Sequence, residues 1–397
     1  MRSGNTVAHS FVIVAATMCS PTTTGYNRML NAETLSSIKD AEMKSEDFGY
    51  NEQFEQFRVE NKLDGFVIGR IISEHKERYI VKSVDCVFEA EITGNMRFGA
   101  KSREDFPAVG DWVALSSYDS DFAIIHAIFP RYSIIKRQAV DQFGETQIIA
   151  TNIDFAFLVQ AADRDFNMNR LERYLTICHV SKVSPVIILT KTDLADAGLV
   201  DEIIDAIKSR IKQVPVLAIS NTTRNGYDEI TAVIEKGKTY CMLGSSGVGK
   251  STLLNNLTGK QLMRTDTISE STSKGRHVTS HRELTVLENG GILIDNPGMR
   301  EVGIADAKTG LEKTFDYILQ LSKSCKFKDC THVHEAGCAV IEAVEKGEIG
   351  QAAYKNYLKL EREQAHFEST TAERRKKDKE FGKMLKNYKN NTKTNKY

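Results

Sequence analysis

Residues 244–252 read Gly-Ser-Ser-Gly-Val-Gly-Lys-Ser-Thr, and no other stretch limits the possible fold as tightly. The run fits G-x-x-x-x-G-K-[ST]. It follows the apolar segment TYCML and opens the helical pattern STLLNNLTG, so it lies at a strand-to-helix turn. Such a turn needs glycines, because backbone N–H groups must curl inward around an anion. The helix N-terminus adds favourable partial charge. The surrounding sequence agrees with a parallel sheet covered on both faces. From Asn152, the apolar runs IDFAFLVQ, VSPVIILT, VPVLAIS, TYCMLGSS and GGILIDNPG alternate with helical stretches such as NRLERYLTICHV.

A loop of this kind predicts a bound nucleotide. Gly244, Ser245, Ser246, Gly247, Val248, Gly249 and Thr252 form the expected cradle. Lys250 is expected to bridge the β- and γ-phosphates, and Ser251 to ligate Mg²⁺. A later strand ends in Asp295-Asn296-Pro297-Gly298. There Asp295 suits the Mg²⁺ shell, and the Gly298 N–H suits a γ-phosphate contact. Between them runs the polar segment Gly275–His281, read as a switch loop in which Thr279 completes the metal shell. Met299 stands where Ras-like GTPases carry a water-orienting Gln, so His277 is the polar candidate for that task.

The base is read by Thr190-Lys191-Thr192-Asp193, after the strand VIILT. A carboxylate at Asp193 accepts two hydrogen bonds from guanine N1–H and the exocyclic amine, a pair adenine cannot supply. Lys191 is expected along the base. Ser220-Asn221 follows the next strand, where a backbone N–H suits the guanine O6. In Ras-like GTPases both elements come after the phosphate loop. Here both come before it, which predicts a circularly permuted domain.

Two further units flank it. Between Asp64 and Arg137, five short alternating segments (GFVIGRII, RYIVKS, CVFEAEI, GDWVALSS, FAIIHAI) predict a small β-barrel, OB-fold or SH3-like. Beyond Thr309 the pattern is helical and encloses Cys325, Cys330, His332 and Cys338, spaced C-x4-C-x-H-x5-C. Three thiolates and one imidazole fill a closed tetrahedral Zn²⁺ shell, which predicts a structural metal. Seven cysteines, the other four scattered, fit a reducing compartment better than a disulfide framework.

The 53 basic and 53 acidic residues balance, which excludes a uniformly basic coat. The charge is nevertheless segregated. Asn31–Glu60 is acidic and is read as a mobile or helical extension, whereas Thr371–Tyr397 is basic and reads as a tail facing nucleic acid. The short apolar run at residues 11–18 is read as a leader without functional weight, or as sequence upstream of a start at Met29 or Met43. No apolar run approaches the roughly 20 residues of a membrane span.

GDWV, LERYL, TKTD before GSSGVGKST, GRHVTSH, DNPG and the cysteine cluster together resemble the ribosome small-subunit-dependent GTPase family (RsgA/YjeQ), from about Asp64 onward. Two positions depart from that pattern: Thr190 replaces the usual Asn of the guanine motif, and Val278 replaces a Thr in the switch loop. The resemblance implies an α/β multidomain protein: an extension at 1–60, an OB-like barrel at 61–137, a circularly permuted GTPase domain at 138–310 and a zinc-binding helical module with a basic tail at 311–397. It implies a cytoplasmic monomer that binds the small ribosomal subunit and its rRNA late in assembly and hydrolyses GTP to GDP to time release. Mg²⁺ and one Zn²⁺ are the implied cofactors. The competing readings are a P-loop ATPase and a non-enzymatic RNA-binding assembly factor that uses GTP as a conformational ligand.

Overall fold

The computed structural model describes residues 44–75, 78–138, 146–163, 166–259, 283–295 and 308–368. Five strands form the barrel: β1 (Val67–His75), β2 (Arg78–Ser83), β3 (Val87–Ile92), β4 (Trp112–Ser117) and β5 (Phe122–Ile128). They pair in the order β1-β2-β3-β5-β4, and β4 returns to β1, so the sheet closes. β3 and β5 run parallel and every other pair is antiparallel. That crossover decides for the OB-like arrangement. Alternation does the sorting inside: β3 turns Phe88, Ala90 and Ile92 inward and Glu89 and Glu91 outward. The short helix α2 (Gly94–Gly99), capped by the Thr93 hydroxyl, bridges β3 and β4.

The described part of the acidic extension is helical, the second of the two alternatives, and it is packed on the barrel. Helix α1 (Glu52–Glu60) is capped by Asn51 and buries Phe54 against Trp112, Phe129 and Tyr132. Phe48, just before it, is buried as well. Acidic residues on the outer side hide the aromatic stripe in any count of charge.

One side chain ties this segment to the rest. Arg70 in β1 is 1% exposed. Its guanidinium donates to Phe48 O (2.8 Å), Gly110 O (3.1 Å) and Asn152 O (3.0 Å). It therefore joins the first segment, the barrel and the entry to the large sheet. Burial pushes its pKa down, yet a guanidinium stays charged because its ordinary value is so high.

A hairpin of β6 (Ile134–Gln138) and β7 (Thr146–Thr151) links the two sheets, an element the sequence patterns did not reveal. The large sheet follows, with β8 (Phe155–Ala161), α3 (Met168–Ser181), β9 (Ser184–Thr190), α4 (Leu199–Arg210), β10 (Val216–Ala218), α5 (Tyr227–Ala232), β11 (Thr239–Leu243), α6 (Lys250–Thr258), β12 (Glu283–Val286) and β13 (Ile292–Asp295). Its order is β10-β9-β8-β11-β13-β12, parallel except for β12. β8 shows why the strands read as continuous apolar runs. Ala156 and Leu158 enter one buried cluster, while Phe157, Val159 and Ala161 enter another on the opposite face. β12 also pairs with β1 at Ser73 and Glu283, which joins the sheet to the barrel.

The last described elements are α7 (Lys308–Thr314), α8 (Asp316–Ser322), α9 (Ala339–Glu345) and α10 (Gln351–Glu368). They dock on α3. Thr176 and His179 meet the Thr314 hydroxyl, each at 3.1 Å. Asn356 donates to buried Glu172 at 2.6 Å, and Arg173 pairs with Glu363. Burial raises the Glu172 pKa against the pull of Arg210 and Asn356.

Candidate nucleotide site and metal centre

β11 ends at Leu243 and α6 begins at Lys250, so residues 244–249 form the loop between them. Two glycines are required there. At Gly244 a Cβ would lie 2.5 Å from Val159 O, inside the neighbouring strand. Gly249 has φ +92°, a left-handed conformation that side chains resist. Lys250 opens α6, and its ammonium donates to Gly244 O (2.8 Å) and Ser245 O (2.5 Å). The cation thus lies across the mouth of its own loop. Val248 is buried beneath it, whereas Ser245, Ser246, Ser251 and Thr252 are half-buried and Gly247 is exposed.

The two loops expected to read the base arrive at the same place. Thr190 ends β9, fully buried, and its hydroxyl lies 2.6 Å from Val248 O and 3.2 Å from Gln160 O. The threonine that replaces the usual amide therefore still ties this loop to the phosphate loop. Lys191 follows in the left-handed region (φ 59°), pairs with Asp163 at 3.2 Å and caps the short turn Thr192–Leu194, leaving Asp193 exposed. Beyond β10, Ser220 Oγ accepts from the Thr222 and Thr223 N–H groups, which rigidifies the next turn. Asn221 was expected to act through its backbone. Its side chain does more: Nδ2 donates to Gly249 O (3.0 Å), while Oδ1 accepts from the Tyr227 hydroxyl (2.8 Å). Asn256 of α6 closes the ring through Asn221 O and Tyr227. No sequence motif announces that ring. Nor does one announce Arg170, at the start of α3, whose guanidinium donates to Ser245 Oγ at 2.7 Å.

Asp295 ends β13, beside the phosphate-loop strand β11. His277, Thr279, Gly298 and Met299 lie outside the described residues, as does the basic tail from Thr371.

The cysteine cluster assembles. The ligand atoms of Cys325, Cys330, His332 and Cys338 all lie within 4.8 Å of one another. A Zn–S bond of about 2.3 Å in a tetrahedron requires S···S edges of about 3.8 Å, and S···N edges of about 3.6 Å. Cys325 Sγ lies 3.8 Å from Cys338 Sγ, and His332 Nδ1 lies 3.6 and 3.3 Å from those two sulfurs. The donor set fits zinc in both chemistry and size, with Nδ1 as the imidazole donor. Around it, Glu335 accepts from the backbone N–H groups of Thr331, Val333 and His334 and from the Thr331 hydroxyl. The Thr331 bonds lead in holding its carboxyl well below the usual range. Tyr354 of α10 donates to His332 O at 2.5 Å, so the cluster is fastened to the helix that docks on α3.

The order of the strands, with the loops at Thr190–Asp193 and Ser220-Asn221 ahead of the phosphate loop, narrows the comparison with known proteins. A family model described as RsgA GTPase matches residues 128–305. A protein of Bacteroides thetaiotaomicron named small ribosomal subunit biogenesis GTPase RsgA 1 is 41% identical over 323 residues, 81% of this chain and 90% of its own length. The chain belongs to the RsgA GTPase family. An RsgA 2 of Lactiplantibacillus plantarum is 43% identical over 305 residues, 77% of this chain and 85% of its own length. The crystal structure of YloQ, titled a circularly permuted GTPase, superposes with a TM-score of 0.53 at 26% identity, covering 77% of this chain and 97% of that one. YjeQ from Thermotoga maritima shares the fold, with a TM-score of 0.55 at 24% identity, covering 74% of this chain and 96% of that one. An ABC transporter model also matches residues 227–396. That stretch contains the phosphate loop but omits Thr190–Asp193, Ser220 and the barrel, all of which the RsgA relatives' coverage accommodates.

Proposed function

We propose that this RsgA-family protein is a GTP hydrolase of small ribosomal subunit biogenesis. It binds the subunit and its rRNA as a monomer in the cytoplasm and uses hydrolysis of GTP to GDP to time its release. The observation that carries the reading is the convergence of Thr190 on Val248 O and Asn221 on Gly249 O. Two loops from the other half of the sheet hold the phosphate loop, so base reading and phosphate binding belong to one site. The names of the curated relatives supply the ribosomal context.

In this reading the N–H groups of residues 244–252 cradle the phosphates, and Lys250 turns from its loop carbonyls to the β- and γ-oxygens. Asp193 accepts from guanine, Lys191 lies along the base, and the Ser220-Asn221 turn faces O6. Ser251, Asp295 and Thr279 would hold Mg²⁺, which supplies neutralising charge on the phosphates. Gly298 reads the γ-phosphate, and His277 holds the attacking water once the subunit orders its loop. The closed Cys3His set would hold one Zn²⁺ in a structural role and present the basic tail as part of a folded unit. No helix among the described residues is long and apolar enough to cross a membrane.

The test is GTP turnover with and without purified small subunits. The rate should rise at least about tenfold, or about 1.4 kcal/mol of barrier. Lys250→Ala should abolish it, and His277→Ala should bind GTP yet lose most of the stimulation. A rate indifferent to the subunit would overturn the coupling. Turnover undiminished in Lys250→Ala would place the reaction elsewhere.

A further inference from the structure

We propose that Arg170 is a positioning residue for the terminal phosphate of the nucleotide, acting through the hydroxyl of Ser245. The inference rests on the nucleotide reading above and adds a residue that the phosphate-loop motif does not contain.

Three observations support it. First, Arg170 is held in place. Asn167 caps α3 by accepting from the Arg170 N–H, and buried Gln160 clamps Asn167 with two bonds, to its N–H (2.9 Å) and its carbonyl (3.0 Å). Gln160 lies on β8, which is paired with the phosphate-loop strand β11. The base of the side chain is therefore fixed relative to the loop. Farther along α3, Arg173 and Glu172 are bonded to α10, so the helix is anchored at that point too.

Second, two cations converge on one residue. Arg170 donates to Ser245 Oγ and Lys250 donates to Ser245 O. Arg170 makes no ion pair with a described residue, unlike Arg173 one turn later. A guanidinium at the mouth of an anion-binding loop, with no carboxylate partner among the described residues, adds to a field that favours negative charge.

Third, the direction of the bond matters. Ser245 Oγ accepts from Arg170, so its own proton points elsewhere and has no acceptor among the described residues. Polarised by the guanidinium, that O–H is a donor for a phosphate oxygen. An alanine or glycine here has no such proton to give.

The consequence is discrimination between nucleotides. GTP carries a γ-phosphate and more negative charge than GDP, so a cation at this end favours GTP beyond what the base contacts supply. The experiment is titration of GTP and of GDP, at fixed Mg²⁺, against the full chain and its Arg170→Gln, Arg170→Lys, Ser245→Ala and doubly substituted Arg170→Gln/Ser245→Ala variants. Arg170→Gln should weaken GTP about tenfold and GDP no more than about twofold. Arg170→Lys should recover at least half of the loss on a logarithmic scale. Ser245→Ala should shift the GTP/GDP ratio in the same direction, and the double variant should be no worse than the worse single one, because the two act as a unit. The parent's GTP preference should shrink with added salt more than that of Arg170→Gln. Equal loss of both nucleotides, no loss, or full additivity overturns the proposal; a purely structural role would give the first. If Arg170→Gln does not fold, Ser245→Ala decides: it keeps the charge and breaks the bond, and an unchanged ratio refutes the relay. A parent that binds neither nucleotide overturns the nucleotide reading itself, whereas a parent that binds GTP with an indifferent Arg170→Gln overturns only this inference.

Discussion

Replacing Arg70 with methionine should loosen the first segment from the barrel before anything else gives way. The magnitude follows from what each carbonyl keeps. Gly110 O still accepts from Asn152 Nδ2, and Asn152 O still accepts from the Tyr132 hydroxyl. Among the described residues Phe48 O accepts only from Arg70 and is left without a donor. One orphaned buried carbonyl costs about 1–3 kcal/mol, and each lost second bond about 0.5–1.5 kcal/mol. Methionine also removes a buried guanidinium that bonds no carboxylate among the described residues, which returns part of the loss. It fills similar space, so the cavity term is small. The net expectation is a loss of about 2–4 kcal/mol, or a fall in Tm of about 5–15 °C for a unit of 150–250 residues. The assay is built in. Trp112 is the sole tryptophan, is buried in the barrel and has the Arg70 guanidinium 6.0 Å from its ring centre. Its fluorescence reports the barrel, while far-ultraviolet dichroism reports the whole chain. The fluorescence midpoint should fall first, with early proteolysis between residues 45 and 60. Arg70→Lys should fall in between, because an ammonium cannot reproduce the three-pronged fork. A midpoint unchanged within about 0.5 kcal/mol would show that the three carbonyls do not depend on Arg70, and the reasoning would fail.

Metal analysis of the purified protein should give one zinc per chain; chelation, or Cys330→Ser, should release α10 from α3, seen as lost protection from hydrogen exchange there with the barrel unaffected. Thr190→Asn should tighten GTP relative to ATP by no more than about tenfold, because the Thr190 hydroxyl already secures Val248 and only the added base contact is gained; a loss of GTP affinity would show that the amide cannot fit the buried site. Burial, with help from Lys313, lowers the His179 pKa. A base with a depressed folded-state pKa is stabilising above its unfolded value, near 6.5, and that stability is lost as pH falls below it. Tm should therefore decline below about pH 6.5, and His179→Gln should flatten that part of the profile, measured by melting from pH 5 to 8.

Most of the architecture could be read before any coordinate. Strands β3 and β5 were visible because each is half-buried and alternates, β1, β2 and β4 because each is a short apolar run bounded by turn residues, and β8, β9 and β11 because each is an apolar run buried along its length. The barrel type was not visible, since the parallel pairing of β3 with β5 joins segments whose local patterns carry no trace of their neighbours. The packing of helix α1 on the barrel was hidden for a different reason. Phe48 and Phe54 are few and large, and the acidic residues around them dominate any compositional reading. In the site, the phosphate loop, the guanine motif and the cysteine spacing were legible because each is a contiguous chemical pattern. The Asn221–Tyr227–Asn256 ring and the Arg170–Ser245 bond were not, because they depend on side chains from separate elements that only the folded sheet brings together. Thr190 was legible as a departure but not as a replacement, since a hydroxyl's ability to reach Val248 O is a matter of distance and not of residue type.

The strand order has a further consequence for how the chain is made. β8 lies in the middle of the sheet, yet its two neighbours emerge at very different times. β9 follows after one helix, whereas Tyr240 of β11, which pairs with Phe155, appears only after two more helices and a strand. At about 5–20 residues per second of synthesis, that edge stays open for on the order of ten seconds. During that interval β8 offers a row of unsatisfied N–H and C=O groups flanked by apolar side chains, the features of a template for unwanted pairing. A chain with the usual strand order would have β11 waiting before β8 was made. The permuted order therefore makes the nascent half-sheet a natural client for whatever shields exposed strands at the exit of a translating ribosome.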